Sequence, residues 1–317
     1  MLGPRETRAL LDRYDLHPRT SIGQHFVVDP NTVRKVVDIA GIGPGEQVLE
    51  IGPGLGALTL ALLDAGARVI AVERDRRLRP VLDEVLAGRD VRVEYGDALR
   101  IDLARLIGRR PTAMVSNLPY QIATPLLVQM LESLPAVRTY TFMVQKEVGE
   151  RIAAGPGDDA YGAVSAKVAY LARARVAARV SRRVFYPMPE VESVIVRCER
   201  RARPAVGGAR GAIFAVIEAG FAQRRKTIRR ALRGGGWTAE QVEVALTAAA
   251  VDGTARAETL GIGDFAALAR RLPRLGSSRG AGRGAGRGAG RGAGRGAGLG
   301  AGLGSGRGAG LRGRSGR

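Results

Sequence analysis

Between Gln47 and Val144 the chain alternates short apolar runs with stretches whose apolar residues recur three or four positions apart. Val48–Ile51, Arg68–Val72, Val91–Tyr95, Ala113–Ser116 and Thr139–Val144 have the length and apolarity of buried strands. Leu58–Ala65, Leu78–Leu86 and Pro125–Leu134 carry helical spacing instead. Such alternation predicts an α/β domain with a parallel sheet covered by helices on both faces. Upstream, Asp29 reads as an N-cap and Pro30 as the first residue of a helix running to about Ala40. Residues 1–28 read as an irregular basic arm.

The pattern changes near Lys167. Val176–Val180 and Val191–Cys198 read as late strands, separated by Phe185-Tyr186-Pro187-Met188-Pro189. Residues 201–210 form a Gly/Arg/Ala-rich linker, and 211–233, 238–250 and 264–272 carry the spacing of three helices. From Arg279 to Gly298 the chain repeats Arg-Gly-Ala-Gly, a composition with too little apolar surface to offset its ordering entropy. The expected organisation is an arm over 1–28, an α/β domain over 29–200, a small all-α domain over 201–273 and a disordered tail over 274–317.

Composition narrows the setting. No apolar run approaches the ~20 residues needed to cross a bilayer, and Met1–Glu6 is charged where a signal peptide is apolar. With Cys198 as the single cysteine, no internal disulfide forms, and a reducing cytoplasm is the expected compartment. The formal net charge is +20, of which ten arginines and no acidic residue fall in 274–317. The remaining body is still basic, which points to a polyanionic partner, most often nucleic acid.

Candidate chemistry begins at Glu50-Ile51-Gly52-Pro53-Gly54-Leu55-Gly56, between a strand and a helix. Gly52 and Gly54 let the backbone turn and approach a ligand closely. The loop alone also satisfies a loose dinucleotide fingerprint, so a nicotinamide cofactor stays open at this point. Glu73, ending the second strand, is placed to accept hydrogen bonds from ribose hydroxyls. Asp97, after the third strand, is placed to meet an adenine amino group.

Asn117-Leu118-Pro119-Tyr120 follows the fourth strand, at the carboxyl edge where open α/β sheets bind ligands. An adenine amino nitrogen is a poor nucleophile because its lone pair is delocalised. The Asn117 side-chain oxygen and the Leu118 carbonyl offer two acceptors for its N–H bonds, drawing it toward tetrahedral geometry. Pro119 fixes the backbone, and Tyr120 offers a face for an extruded base. A sulfonium methyl donor is already activated, so neither a metal nor a strong base is required. Arg224, Arg225 and Lys226 form a compact basic step, expected on the first late helix, that suits RNA phosphates. Phe26 and Trp237 read as packing residues.

Together these motifs resemble the KsgA/Erm family of rRNA adenine-N6 dimethyltransferases, its KsgA branch in particular, from about Arg19 to Leu272. Further matches are Gly23-Gln24-His25-Phe26, Met143-Val144-Gln145-Lys146-Glu147-Val148, Tyr161-Gly162, Phe185-x-Pro187-x-Pro189-x-Val191-x-Ser193 and Gln223-Arg224-Arg225-Lys226-Thr227. The resemblance implies a Rossmann-like sheet that binds S-adenosylmethionine, and a monomer that dimethylates two adjacent adenosines in the 3′-terminal hairpin loop of 16S rRNA in a small-subunit precursor. It implies cofactor contacts at His25, Val27, Gly52, Glu73, Asp97 and Asn117, and base stacking at Tyr120 and Phe185. The chain departs from the usual pattern with His25 and Val27 in place of Asn and Leu, and with its tail. Gly/Arg-rich tails occur in some Erm proteins, which keeps an Erm-type 23S rRNA methyltransferase as an alternative, beside an assembly factor acting mainly by binding.

Overall fold

A computed structural model describes residues 2–20, 23–110, 112–119, 122–223 and 225–274. Five parallel strands form the body of the sheet: β2 (Gln47–Ile51), β3 (Arg68–Glu73), β4 (Val91–Tyr95), β5 (Thr112–Asn117) and β6 (Val137–Gln145). Two late strands, β7 (Ala172–Val180) and β9 (Ser193–Arg200), complete a seven-stranded sheet of order β4-β3-β2-β5-β6-β9-β7. β9 runs antiparallel to both of its neighbours, so the late strands add a mixed edge to the parallel sheet expected from the first half of the chain. The connection from β7 to β9 carries no crossover α-helix, as suits an antiparallel pair. Two further residue pairs make a small ribbon, β1 (Phe26–Val27) against β8 (Phe185–Tyr186).

Both faces are covered, so apolar residues of the central strands point alternately into two buried clusters. Leu49, Met114, Phe142 and Val196 face one buried cluster, while Val48, Val115, Met143 and Ile195 face the other. On the second face lie α2 (Pro30–Ala40) and α3 (Ala57–Asp64). Asp29 caps α2 as expected, accepting from the backbone N–H groups of Asn31 and Thr32. The first face takes α5 (Leu103–Ile107), α6 (Ala123–Ser133), α8 (Ala163–Leu171) and the C-terminal helices. Arg200 at the end of β9 closes the C-terminus of α6. Its guanidinium donates to the carbonyls of Met130, Leu131, Leu134 and Val137 and to the Tyr140 hydroxyl, at 2.8–3.1 Å.

Three elements differ from the sequence reading. The N-terminal segment is not irregular: α1 (Pro4–Arg13) buries Leu10 and Leu11 against Leu78 and Leu82 beside α4 (Arg79–Val85). Helices α7 (Lys146–Ala153) and α8 fill a region left unassigned. The stretch 211–233 is two helices, α9 (Arg210–Ala222) and α10 (Ile228–Gly234). Thr227 caps α10 through the Arg230 N–H, and the Ile228 N–H donates to the Ala255 carbonyl at 2.7 Å, seating Ile228 fully in the core. α11 (Ala239–Ala249) and α12 (Ile262–Arg271) follow, and residues 2–274 form one compact body. Phe26 and Trp237 are buried packing residues, Trp237 Nε1 donating to the Pro273 carbonyl. No described helix is long and apolar enough to cross a membrane. The Arg-Gly-Ala-Gly tail lies outside the described residues.

Candidate active site

The strand order reverses between β2 and β5, and a crevice opens beyond their carboxyl ends, as open α/β sheets require. The β2–β5 ladder is recorded only as far as Leu49 and Met114. Past it, the Ile51 N–H donates to the buried Ser116 hydroxyl at 2.8 Å, which satisfies the backbone where the strands diverge. Gly52 and Gly54 take φ of 73° and 59°, the left-handed region that favours glycine. A Cβ on Gly54 would sit 3.0 Å from the Phe26 ring, so the loop also packs as closely as glycine allows.

Two cavities open on this edge and share Gln24, Gly52, Glu73 and Pro119. Glu73 is 6% exposed. Its two carboxylate oxygens accept the Gly54 N–H at 3.2 Å and the Asp75 N–H at 2.7 Å. Burial outweighs those donors and pushes its pKa up to about 7. Glu50 accepts the Thr59 hydroxyl at 2.7 Å, and burial raises it to about 8. Asp97 is half-buried on one cavity wall; its Oδ1 accepts the Leu99 N–H at 3.0 Å, which fixes the carboxylate at the start of its loop.

On the β5 side, Asn117 Nδ2 donates to the His25 carbonyl at 3.0 Å. One of the two amide N–H donors is thereby engaged, which orients the group and leaves Oδ1 as its acceptor. Leu118 is buried and its N–H donates to the Met143 carbonyl, pinning the turn to β6. Pro119 lines both cavities. His25 Nδ1 donates to the Pro187 carbonyl at 2.7 Å, and Val27 lines the first cavity while pairing with Phe185. The structure therefore gathers His25, Val27, Gly52, Gly54, Glu73, Asp97, Asn117 and Pro119 at one edge. Tyr120 and Arg224 lie outside the described residues.

Phe185 is placed differently from the expectation. It is 3% exposed and sits in the apolar cluster with Val27, Val180 and Ile195. So buried a ring leaves little face open for a base to stack on. Arg225 and Lys226 are exposed as expected, but in the turn between α9 and α10 rather than on a helix, and neither lines these cavities.

Sequence reasoning missed the strap over the crevice. Gln24 Nε2 donates to Asp75 Oδ2 at 2.9 Å while its Oε1 accepts the Arg19 N–H at 2.8 Å. Asp75 is held down to about 2, chiefly by its hydrogen bonds from Arg77. Thr7 on α1 and Leu2 just before it reach the first cavity. The available signal was Pro4 at a helix start with Thr7, Leu10 and Leu11 on one face.

A family model described as ribosomal RNA adenine dimethylase matches residues 16–273. The ribosomal RNA small subunit methyltransferase A of Thermobifida fusca is 46% identical over 279 residues, covering 86% of this chain and 96% of that one. Among solved structures, the 23S rRNA methyltransferase ErmE is 30% identical with a TM-score of 0.61, covering 78% of this chain and 99% of its own. A dimethyladenosine transferase from Plasmodium falciparum, 24% identical, shares the fold with a TM-score of 0.64 over 77% of this chain and 96% of its own. The sheet, the crevice and this extent of similarity agree: the chain belongs to the ribosomal RNA adenine dimethylase family.

Proposed function

We propose that this protein transfers methyl groups from S-adenosylmethionine to the N6 atoms of two adjacent adenosines in the 3′-terminal hairpin loop of 16S rRNA, acting as a cytoplasmic monomer on a small-subunit precursor. The observation that carries this reading is the Asn117 amide, anchored through Nδ2 on the His25 carbonyl with Oδ1 left to accept. The residues present fit the donor. A carboxylate has about four acceptor positions, and Glu73 commits two to backbone N–H groups, leaving two for a ribose diol. Asp97 Oδ1 takes the Leu99 N–H, and Oδ2 suits an adenine amino group.

S-adenosylmethionine, when bound, supplies a methyl group already activated by its positive sulfur. The rest is positioning. Asn117 Oδ1 and the Leu118 carbonyl take the two N6–H bonds of the target base and localise its lone pair. Pro119 keeps that backbone in place, and Tyr120 stacks on the base. The N6 lone pair forms the new N–C bond as the C–S bond breaks, and the cationic nitrogen then sheds one proton to solvent. After one transfer N6 keeps a single N–H, which one of the two acceptors takes while the lone pair again faces the donor for a second round. Residues 201–273 act as the RNA-binding module, where Arg225 and Lys226 meet phosphates from an exposed turn.

Greater identity to the small-subunit relative than to ErmE favours the 16S target over the 23S one. Mapping dimethyladenosine by mass spectrometry in both large rRNAs tests the assignment. A strain lacking the gene should lose both marks from the 16S loop and none from 23S rRNA. Intact 16S marks in that strain overturn the proposal, and loss from 23S rRNA moves the target there.

A further inference from the structure

A third cavity adjoins the crevice and is absorbed by none of the roles above. It shares Gly23 and His25 with the first one, and its far wall is Gln145, Met188, Glu190 and Val191. His25 is the partition: its carbonyl holds the Asn117 amide on one side, and its ring holds the Pro187 carbonyl on the other. The far wall is itself fixed, because the Lys146 N–H donates to the Glu192 carbonyl at 3.0 Å and Arg182 Nη1 to the Glu190 carbonyl at 3.3 Å.

Its chemistry is that of a nucleobase site. Gln145 ends β6 and precedes α7, yet its side chain does not cap that helix and makes no hydrogen bond among the described residues. An amide offers a donor and an acceptor side by side, the pair that matches adenine N7 and N6. Met188 and Val191 are 55% and 43% exposed, two of four large apolar side chains so exposed among the described residues. The other two, Val176 and Val244, stand on β7 and α11. Apolar groups beside an unengaged amide suit a flat base with a polar edge. Glu190 on the rim repels a phosphate and accepts from an amino group, which favours a base over the backbone as occupant.

We propose that Gln145, with Met188 and Val191, holds the second adenosine of the pair while the first is methylated at Asn117. This rests on the functional reading above. Gln145 would then be a specificity residue, and the adjacency of the two targets would follow from the adjacency of the two cavities.

The test uses full-length protein and unmethylated small-subunit particles, with each loop adenosine in turn replaced by guanosine, which lacks the N6 donor. Methylation of the remaining adenosine is measured for wild type and Gln145→Leu, after calorimetry has shown equal S-adenosylmethionine affinity. Wild type should lose about tenfold to a hundredfold in kcat/KM on at least one substituted particle. Gln145→Leu should show that loss already on native particles and lose nothing further on the substituted one. Losses that multiply overturn the proposal while leaving the functional reading intact. Failure of wild type to methylate native particles overturns both. Met188→Asp alters only the exposed rim and should raise KM for particles about tenfold with kcat retained; an unchanged KM overturns the proposal as well.

Discussion

On the functional reading proposed above, Glu73 and Asn117 set the chemistry at the scale of single residues, and each makes a measurable demand. Burial raises the Glu73 carboxyl to about 7, so near neutrality the site is partly protonated before the donor arrives. Ribose hydroxyls donate to the ionised form, so binding favours loss of that proton. The sign follows: affinity for S-adenosylmethionine rises with pH through 7 and levels off above it. With a pKa near 7, calorimetry between pH 6 and 8 should show about a tenfold gain, and Glu73→Gln should bind weakly without it. A flat wild-type profile contradicts the assignment. Asn117→Ala removes one of two acceptors for the reacting amino group. By analogy with loss of one stabilising hydrogen-bond partner elsewhere, kcat should fall by about 10²–10³, read in single-turnover assays, while particle binding is kept. The sites of both residues are legible in the sequence because each stands at a strand end, where side chains must meet the crevice. The burial of Phe185 is not, because a Phe-x-Pro-x-Pro segment does not say which face of a two-residue ribbon its ring will take.

At the scale of elements, Arg200 ties the late strands to the methyl-transfer half. It caps the C-terminus of α6, and Arg200→Met would take that partner from the carbonyls of Met130, Leu131 and Leu134 and from that of Val137 at the start of β6. Urea unfolding should show a loss of roughly 2–3 kcal/mol, and Arg200→Lys should recover only part, since one ammonium cannot reproduce a planar fork. A loss under half a kilocalorie would show the cap to be dispensable. The same elements show where a sequence can be read. The inner stretches of β2, β3, β5 and β6 are short apolar runs because both faces of the sheet are covered, and α2 announces itself through Asp29 and Pro30. Helix α8 does not, since Ala163–Leu171 is apolar on nearly every side and shows no periodic face. The break between α9 and α10 is hidden because the apolar spacing runs through it, while a tertiary contact, Ile228 to Ala255, decides it. Only the second half of β7 is legible, because its first half alternates arginine with alanine on a sheet edge.

At the scale of the whole molecule, a contribution of the tail to RNA affinity is separable from the site by truncation. Nine of the arginines lie beyond Arg274. Ending the chain there should weaken RNA binding at low salt and flatten the dependence of affinity on salt concentration. Affinity for S-adenosylmethionine and kcat should be unchanged, because every cavity residue named above lies before residue 192. An altered donor affinity would place the tail in the site. The central claim is that one crevice methylates both adenosines of a small-subunit loop. Its most direct test incubates the purified protein with unmethylated small-subunit particles and S-adenosylmethionine, then weighs the nuclease fragment that carries the loop. The account predicts a gain of four methyl groups, two on each adenosine, in wild type and almost none in Asn117→Ala over the same interval. A fragment that gains no mass, or an equal gain in the variant, would contradict it.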